Sequence, residues 1–261
     1  MSEQRVTTEI ADGIADVRLT RGDKMNALDP AMFEAIAGTI VRLGETPGLR
    51  CVVLSGEGRA FCAGLDMASM AAGGTGAPLQ ERTHGKANSY QAVAWGWRTL
   101  PVPVIAAVHG IAFGGGFQIM GGADIRIADP ATRMSIMEMK WGIVPDMAGF
   151  ALWRTMVRDD VLRELAYTAR EFDAAEAHRL GFVTHLDDAP HARAVALARE
   201  IAGRHPKAVR AAKRLANLAA EGDAAAILQA ESDEQALLMR TPNQMEAVRA
   251  NIEKRAPIFT D

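Results

Sequence analysis

Residues 102–120 are the longest nearly uncharged stretch of the chain, and they cannot form a single element. Residues 102–108 read as an apolar strand, with Pro101 and Pro103 confined to its entrance because proline lacks a ladder N–H. His109 and Gly110 end that run. Gly114, Gly115 and Gly116 then form a turn ahead of a helix that begins near Gln118. Pro103, His109, Gln118 and four glycines also argue against a membrane span. A buried strand that turns on glycines into a helix is the joint of an α/β fold.

The rest of the chain fits that joint. Ala15, Val17 and Leu19 alternate with Asp16 and Arg18 as in a half-buried strand, after an Asp12-Gly13 hairpin signal. Asp29 is placed to cap a helix with Pro30 at its first position, and Met32, Phe33, Ile36, Ile40 and Leu43 follow at helical spacing. Residues 51–54 read as a buried strand. Residues 68–80, small and glycine-rich, read as a mobile loop, followed by a helix through Trp95 and Trp97. Ile125 and Ile127 mark a third strand after those at 51–54 and 102–108, and residues 134–139 read as a fourth. From about residue 192 the chain is alanine-rich and helical. Thr241, Pro242, Asn243 and Gln244 read as a capping box. Such an appendage packs either on a partner or on its own chain.

Composition sets outer limits. A chain of 261 residues, 49% hydrophobic and 23% charged, is long enough for one large or two small domains with a sizeable core. A net charge of −3 supplies no field for nucleic acid. Two cysteines, Cys51 and Cys62, make no disulfide framework, and residues 1–6 lack a signal pattern. A reducing, cytoplasmic setting is expected.

Two glycine turns are candidates for chemistry. One runs from Arg59 to Asp66, directly after a strand; the other is centred on Gly114, Gly115 and Gly116. Together they can present two backbone N–H groups to one oxygen, which is the recipe for an oxyanion hole. Taken alone, three glycines serve close packing equally well. Glu138 and Asp146 stand among apolar residues, which would raise their pKa and suit proton transfer; each also fits a solvated cap or strand end. His109 reads as a hydrogen-bonded turn residue and Cys62 as a small buried side chain. His84, His178, His185, His191 and His205 show no metal-ligand spacing. The chain has no P-loop, no dinucleotide fingerprint and no Gly-x-Ser-x-Gly elbow.

In combination these residues resemble the crotonase, or enoyl-CoA hydratase/isomerase, family. The resemblance runs nearly end to end: Lys24-Met25-Asn26-Ala27-Leu28, the 61–66 turn, the 103–116 stretch, Asp124-Ile125, the 142–145 turn, residues 175–183 and residues 254–259. It implies an α/β spiral of strand–strand–helix repeats over residues 1–191. It also implies a helical trimerisation region over 192–261, with assembly as homotrimers or pairs of trimers. The implied ligand is an acyl-CoA thioester, with coenzyme A entering as part of the substrate and no further cofactor or metal. The oxyanion amides map onto Leu65 and Gly115. Ala63, Asp66, Met67, Ala68 and Gly114 map onto the substrate-binding set, Asp66, Met67 and Ala68 at the CoA adenine and pantetheine.

Family hydratases grip one water with two glutamates. The second maps onto Glu138; the first maps onto Gln118, an amide that cannot act as a base. Asp146 stands where hydratases usually carry glycine. A glutamate followed eight positions on by an aspartate is the pattern of the family's dienoyl-CoA isomerases, although these carry a third acid where Gln118 stands. The expectation is therefore a double-bond isomerase, with Glu138 and Asp146 moving protons and Gln118 orienting the substrate. The alternatives are a hydratase working from Glu138 alone and a non-catalytic acyl-CoA binder. An aryl-CoA dehalogenase fits less well, because those enzymes have tryptophan where Glu138 stands.

Overall fold

A computed structural model describes residues 4–261. Its strands are β1 (Val6–Ala11), β2 (Ile14–Leu19), β3 (Cys51–Gly56), β4 (Val104–Val108), β5 (Ile111–Phe113), β6 (Ile125–Ala128), β7 (Arg133–Ser135), β8 (Phe172–Asp173) and β9 (His185–Leu186). Its helices are α1 (Pro30–Glu45), α2 (Met67–Ala71), α3 (Ser89–Thr99), α4 (Gly115–Gly121), α5 (Gly149–Trp153), α6 (Asp159–Thr168), α7 (Ala174–Leu180), α8 (Pro190–Ala202), α9 (Pro206–Ala219), α10 (Ala224–Leu238) and α11 (Pro242–Ile252).

Asp12 and Gly13 both take positive φ, 53° and 75°, so a two-residue turn joins β1 to β2 as an antiparallel hairpin. From β2 onward the main sheet is parallel, in the order β1-β2-β3-β4-β6-β9. A second sheet, β5-β7-β8, takes the next strand along the chain. Thus β4–β5–α4 and β6–β7–α5 each place one strand in either sheet before a helix.

Strand periodicity divides the core in two. Ile14, Cys51, Val53, Ile105, Ala107 and Ile127 face Ala194, Ala198 and Ala202 of α8. The alternate residues, among them Val17, Val52, Leu54, Val104 and Ala106, meet Met32 and Ile36 of α1 and Val93 and Trp97 of α3. Alanines four apart let α8 lie close on the sheet. The 191/192 division therefore runs through a helix that covers the sheet. From Pro190 to Ile252 the elements are helices only, as expected; α10 packs on α9 and has no buried residue. Among the described residues no helix is long and apolar enough to cross a membrane.

The caps follow local chemistry. Asp29 accepts from Met32 N at 2.8 Å, with Pro30 opening α1 as expected. The box at Thr241 is only half formed, because Gln244 Oε1 accepts from Arg240 N and not from the cap residue. The reciprocal box is at α3, where Asn88 and Gln91 cap each other's backbone. Two other expectations are corrected. The strand at 134–139 is only β7, three residues held between β5 and β8, and Glu138–Trp141 is a 3-10 turn. In the glycine-rich segment, Asp66 accepts from Ser69 N and starts the short helix α2.

One buried cation binds the helical region to the sheet. Lys213 on α9 is 6% exposed, and its Nζ donates to Trp97 O, Val102 O and Asp124 Oδ2. Lys213→Met keeps the bulk and removes all three bonds. It should destabilise the protein by about 3 kcal/mol or more, read as a lower denaturation midpoint. The Asp124→Asn, Lys213→Met pair should lose less than the sum of the single changes.

Candidate active site

The site begins with a segment stitched from both sides. Phe61 N donates to His109 O, Cys62 N to Ile111 O and Phe113 N to Cys62 O. On the other side Ala63 N donates to Met25 O, Leu28 N to Gly64 O and Asp66 N to Leu28 O. Asn26, buried and at φ 54°, holds the corner: Oδ1 accepts from Arg21 N, while Nδ2 donates to Glu57 O and Ala60 O. Cys62 Sγ donates to Asn26 O at 3.1 Å, and burial pushes the Cys62 thiol up to about 12, so it is an inert packing group.

Within this stitching Leu65 N–H finds no acceptor among the described residues, and neither does Gly115 N–H. The two turns touch. A Cβ on Gly64 would lie 2.6 Å from Phe113 O and 3.4 Å from Gly115 N. The second turn admits only glycine. Gly114 sits at φ 49°, ψ −116°, and a Cβ on Gly116 would lie 2.3 Å from Cys62 O. Two unpaired amides thus stand at one end of a cavity of about 290 Å³. Ala63, Gly64, Leu65, Gly114 and Gly115 form that end, Glu138 flanks it, and Met67, Met70, Met137, Trp141 and Ile143 make the apolar walls.

Glu138 is 6% exposed. Its Oε1 accepts from Gln118 Nε2 at 2.6 Å; its Oε2 is buried without a partner. Burial raises its pKa, the Gln118 hydrogen bond opposes that, and the nearby Asp146 charge adds to it. Half-buried Asp146 is raised by burial as well. Asp146 lies in the 145–149 turn and is not part of the cavity lining.

Gln118 is not free to orient a substrate. Its Oε1 accepts from Met147 N and Gly149 N, each at 2.9 Å, and its Nε2 holds Glu138. Two N–H donors and one carboxylate fix which end of the amide is which. Gln118, 1% exposed, therefore positions Glu138 and the turn carrying Asp146. Asp66 is likewise engaged: besides capping α2 it accepts from Arg21 Nη1 at 2.7 Å, and these bonds lower its pKa. Ala68 is exposed on α2. Arg21 and Met147 are parts of the site that the residue pattern did not single out, because their partners Asp66 and Gln118 are distant in sequence. His109 Nε2 donates to Gly58 O at 2.9 Å, as a turn residue does. Among the described residues no three His, Cys, Asp or Glu side chains gather as metal ligands.

The enoyl-CoA hydratase/isomerase family model matches residues 9–261. The chain belongs to that family. Enoyl-CoA hydratase domain-containing protein 2, mitochondrial, of Homo sapiens is 31% identical over 257 residues, covering 95% of this chain and 85% of that protein. The 1,2-epoxyphenylacetyl-CoA isomerase of Escherichia coli (strain K12) is 28% identical over 257 residues, covering 98% of each. A crystal structure of enoyl-CoA hydratase from Bacillus anthracis superposes with a TM-score of 0.89 at 28% identity, covering 98% of this chain and 99% of that one. The α/β fold is thus that of the crotonase structures, and the chain is an acyl-CoA enzyme of this family.

A raised carboxylate pKa couples to stability with a definite sign. The folded state holds the Glu138 proton more tightly than the unfolded state. Its contribution is therefore full below the unfolded pKa and is lost as pH rises through the folded one. Glu138→Gln mimics the protonated form at every pH. Its Tm should exceed that of the wild type at pH 8, and the difference should shrink towards pH 4.5; melts across that range check it.

Proposed function

We propose that this enzyme shifts carbon–carbon double bonds of an enoyl- or dienoyl-CoA through an enolate. The observation that carries this reading is the Glu138–Asp146 pair, combined with an amide at 118 whose two ends are already bonded. A water held between two carboxylates, one of them at position 118, has no place here. Asp146, itself raised by burial, raises the proton affinity of Glu138, so the pair can hold one acid and one base.

In a 3,5-dienoyl-CoA the thioester oxygen accepts from Leu65 N–H and Gly115 N–H. These donors bind more strongly as the oxygen gains enolate charge. Ionised Glu138, beside the glycine turn, takes the C2 proton through its unpartnered Oε2. The C2–H electron pair spreads over the dienolate. The proton of Asp146, which does not itself line the cavity, is then returned at C6 by way of water, leaving the 2,4-diene with no atom gained or lost. The part-exposed Asp146 regains its proton as Glu138 releases one, and the pair is reset.

The test is ultraviolet assay with 3,5-dienoyl-CoA and crotonyl-CoA in parallel. A new 2,4-diene band with little loss of the crotonyl band is expected. Glu138→Gln and Asp146→Asn should each lower kcat about 10²-fold or more. In Asp146→Asn the fall of the residual rate at high pH that comes from loss of the Asp146 proton should disappear. The opposite substrate pattern would make the enzyme a hydratase working from Glu138 alone. Silence with both substrates, together with tight CoA binding, would make it a binder.

We also propose that it works as a homotrimer or a pair of trimers. Leu237, Met239, Met245, Val248 and Ile252 are exposed on and beside α10 and α11, an apolar stripe suited to a second copy. Sedimentation equilibrium at trimer or hexamer mass is the expected result, and a monomer mass would refute it.

A further inference from the structure

We propose that Tyr90 is a specificity-determining positioning residue, whose hydroxyl latches one wall of the acyl cavity to α3. The inference rests on the acyl-CoA reading of the cavity above. Met67 and Met70 of α2 form that wall. The start of α2 is fixed, since its cap Asp66 is ion-paired to Arg21 at 2.7 Å. Its end runs into Gly73, Gly74 and Gly76, all at positive φ. A Cβ on Gly73 or Gly76 would meet nothing within 4 Å, so this part of the chain is loosely surrounded.

Only one hydrogen-bonding tie holds residues 71–78 to the body of the protein, among the described residues. Thr75 Oγ1 donates to the Tyr90 hydroxyl at 2.6 Å, and Thr75 N donates to it at 3.3 Å. The other hydrogen bonds of this segment stay within it and α2. The anchor itself is rigid. Tyr90 is 8% exposed on α3, and its ring meets Phe33 of α1 edge-on at 5.1 Å. The latch also touches the wall. A Cβ on Gly74 would lie 3.2 Å from Met70 Sδ and 3.3 Å from the Tyr90 hydroxyl. The position of Met70, and with it the depth of the cavity, is therefore set through Thr75 and Gly74 by a group on another helix. Methionine suits such a wall, because its unbranched thioether repacks easily when the backbone shifts.

Releasing the latch lets the wall recede, which favours long acyl chains over short ones. The probes are butanoyl-CoA and decanoyl-CoA, saturated thioesters whose binding does not depend on any reaction. Calorimetric Kd values are compared for the wild type, Tyr90→Phe and Thr75→Val. In both variants the affinity ratio of decanoyl-CoA to butanoyl-CoA should rise about fivefold, the worth of one ordinary hydrogen bond. The double variant should add little to either single one. Tm should stay near that of the wild type, because the Tyr90 ring packing is kept. An unchanged ratio, or equal weakening of both ligands, would overturn the latch. If neither thioester binds the wild type, the acyl-CoA reading fails and the latch with it. If both bind normally while the dienoyl-CoA assay is silent, the double-bond chemistry fails and the latch is judged on the ratio alone.

Discussion

The site depends on how the backbone of residues 61–66 satisfies its hydrogen bonds. That segment lies between Met25–Leu28 on one side and the His109 turn with β5 on the other; Phe61 and Cys62 pair with the latter, Ala63, Gly64 and Asp66 with the former. Asn26 closes the corner with three backbone bonds. This dense pairing is what makes the unpaired Leu65 N–H informative. In a segment so fully bonded, an amide left free beside Gly115 N–H points to a ligand atom and not to loose packing. The glycines follow from the same constraint. Gly64 and Gly116 stand where a carbonyl of the facing turn, Phe113 O or Cys62 O, already occupies the place of a Cβ.

The carboxylates are placed differently, on short irregular pieces. Glu138 stands on a 3-10 turn and Asp146 on irregular chain just before a bend, and neither piece has a ladder to hold it. Gln118, projecting from α4, joins them: one end grips the carboxylate and the other grips two backbone N–H groups of the turn that follows Asp146. Two carboxylates are thus kept in a poorly solvated place where burial raises both and the Asp146 charge raises Glu138 further.

Much of this was legible along the chain. The glycine turns, the Asp12-Gly13 hairpin and the Asp29 cap are local, since each is settled by residues within a few positions. The apolar alternation of β2 and β4 marks the faces of the sheet in the same way. What stayed hidden depends on partners far apart. Lys213 meets Asp124 across 89 positions, and Arg21 meets Asp66 across 45. Residues 134–139 look like a strand because they are apolar, yet strand length is set by neighbours, and β5 and β8 offer pairing only to Ser135. Gln118 was recognisable as an amide in place of an acid. Its engagement with the 147–149 backbone was not, because nothing near it in the chain announces two orphan N–H groups.

The contrast between the two halves of the site bears on how such a chain diverges. The half with the unpaired amides is made of main chain, and any side chain added at Gly116 strikes a carbonyl that cannot step aside. The proton-moving half hangs on three side chains, Gln118, Glu138 and Asp146. A single base change in a codon can exchange glutamine for glutamate, or aspartate for glycine, without touching that main chain. The proposed proton-moving residues are therefore letters that mutation can revise one at a time, over a pair of interlocked glycine turns that it cannot revise without steric conflict.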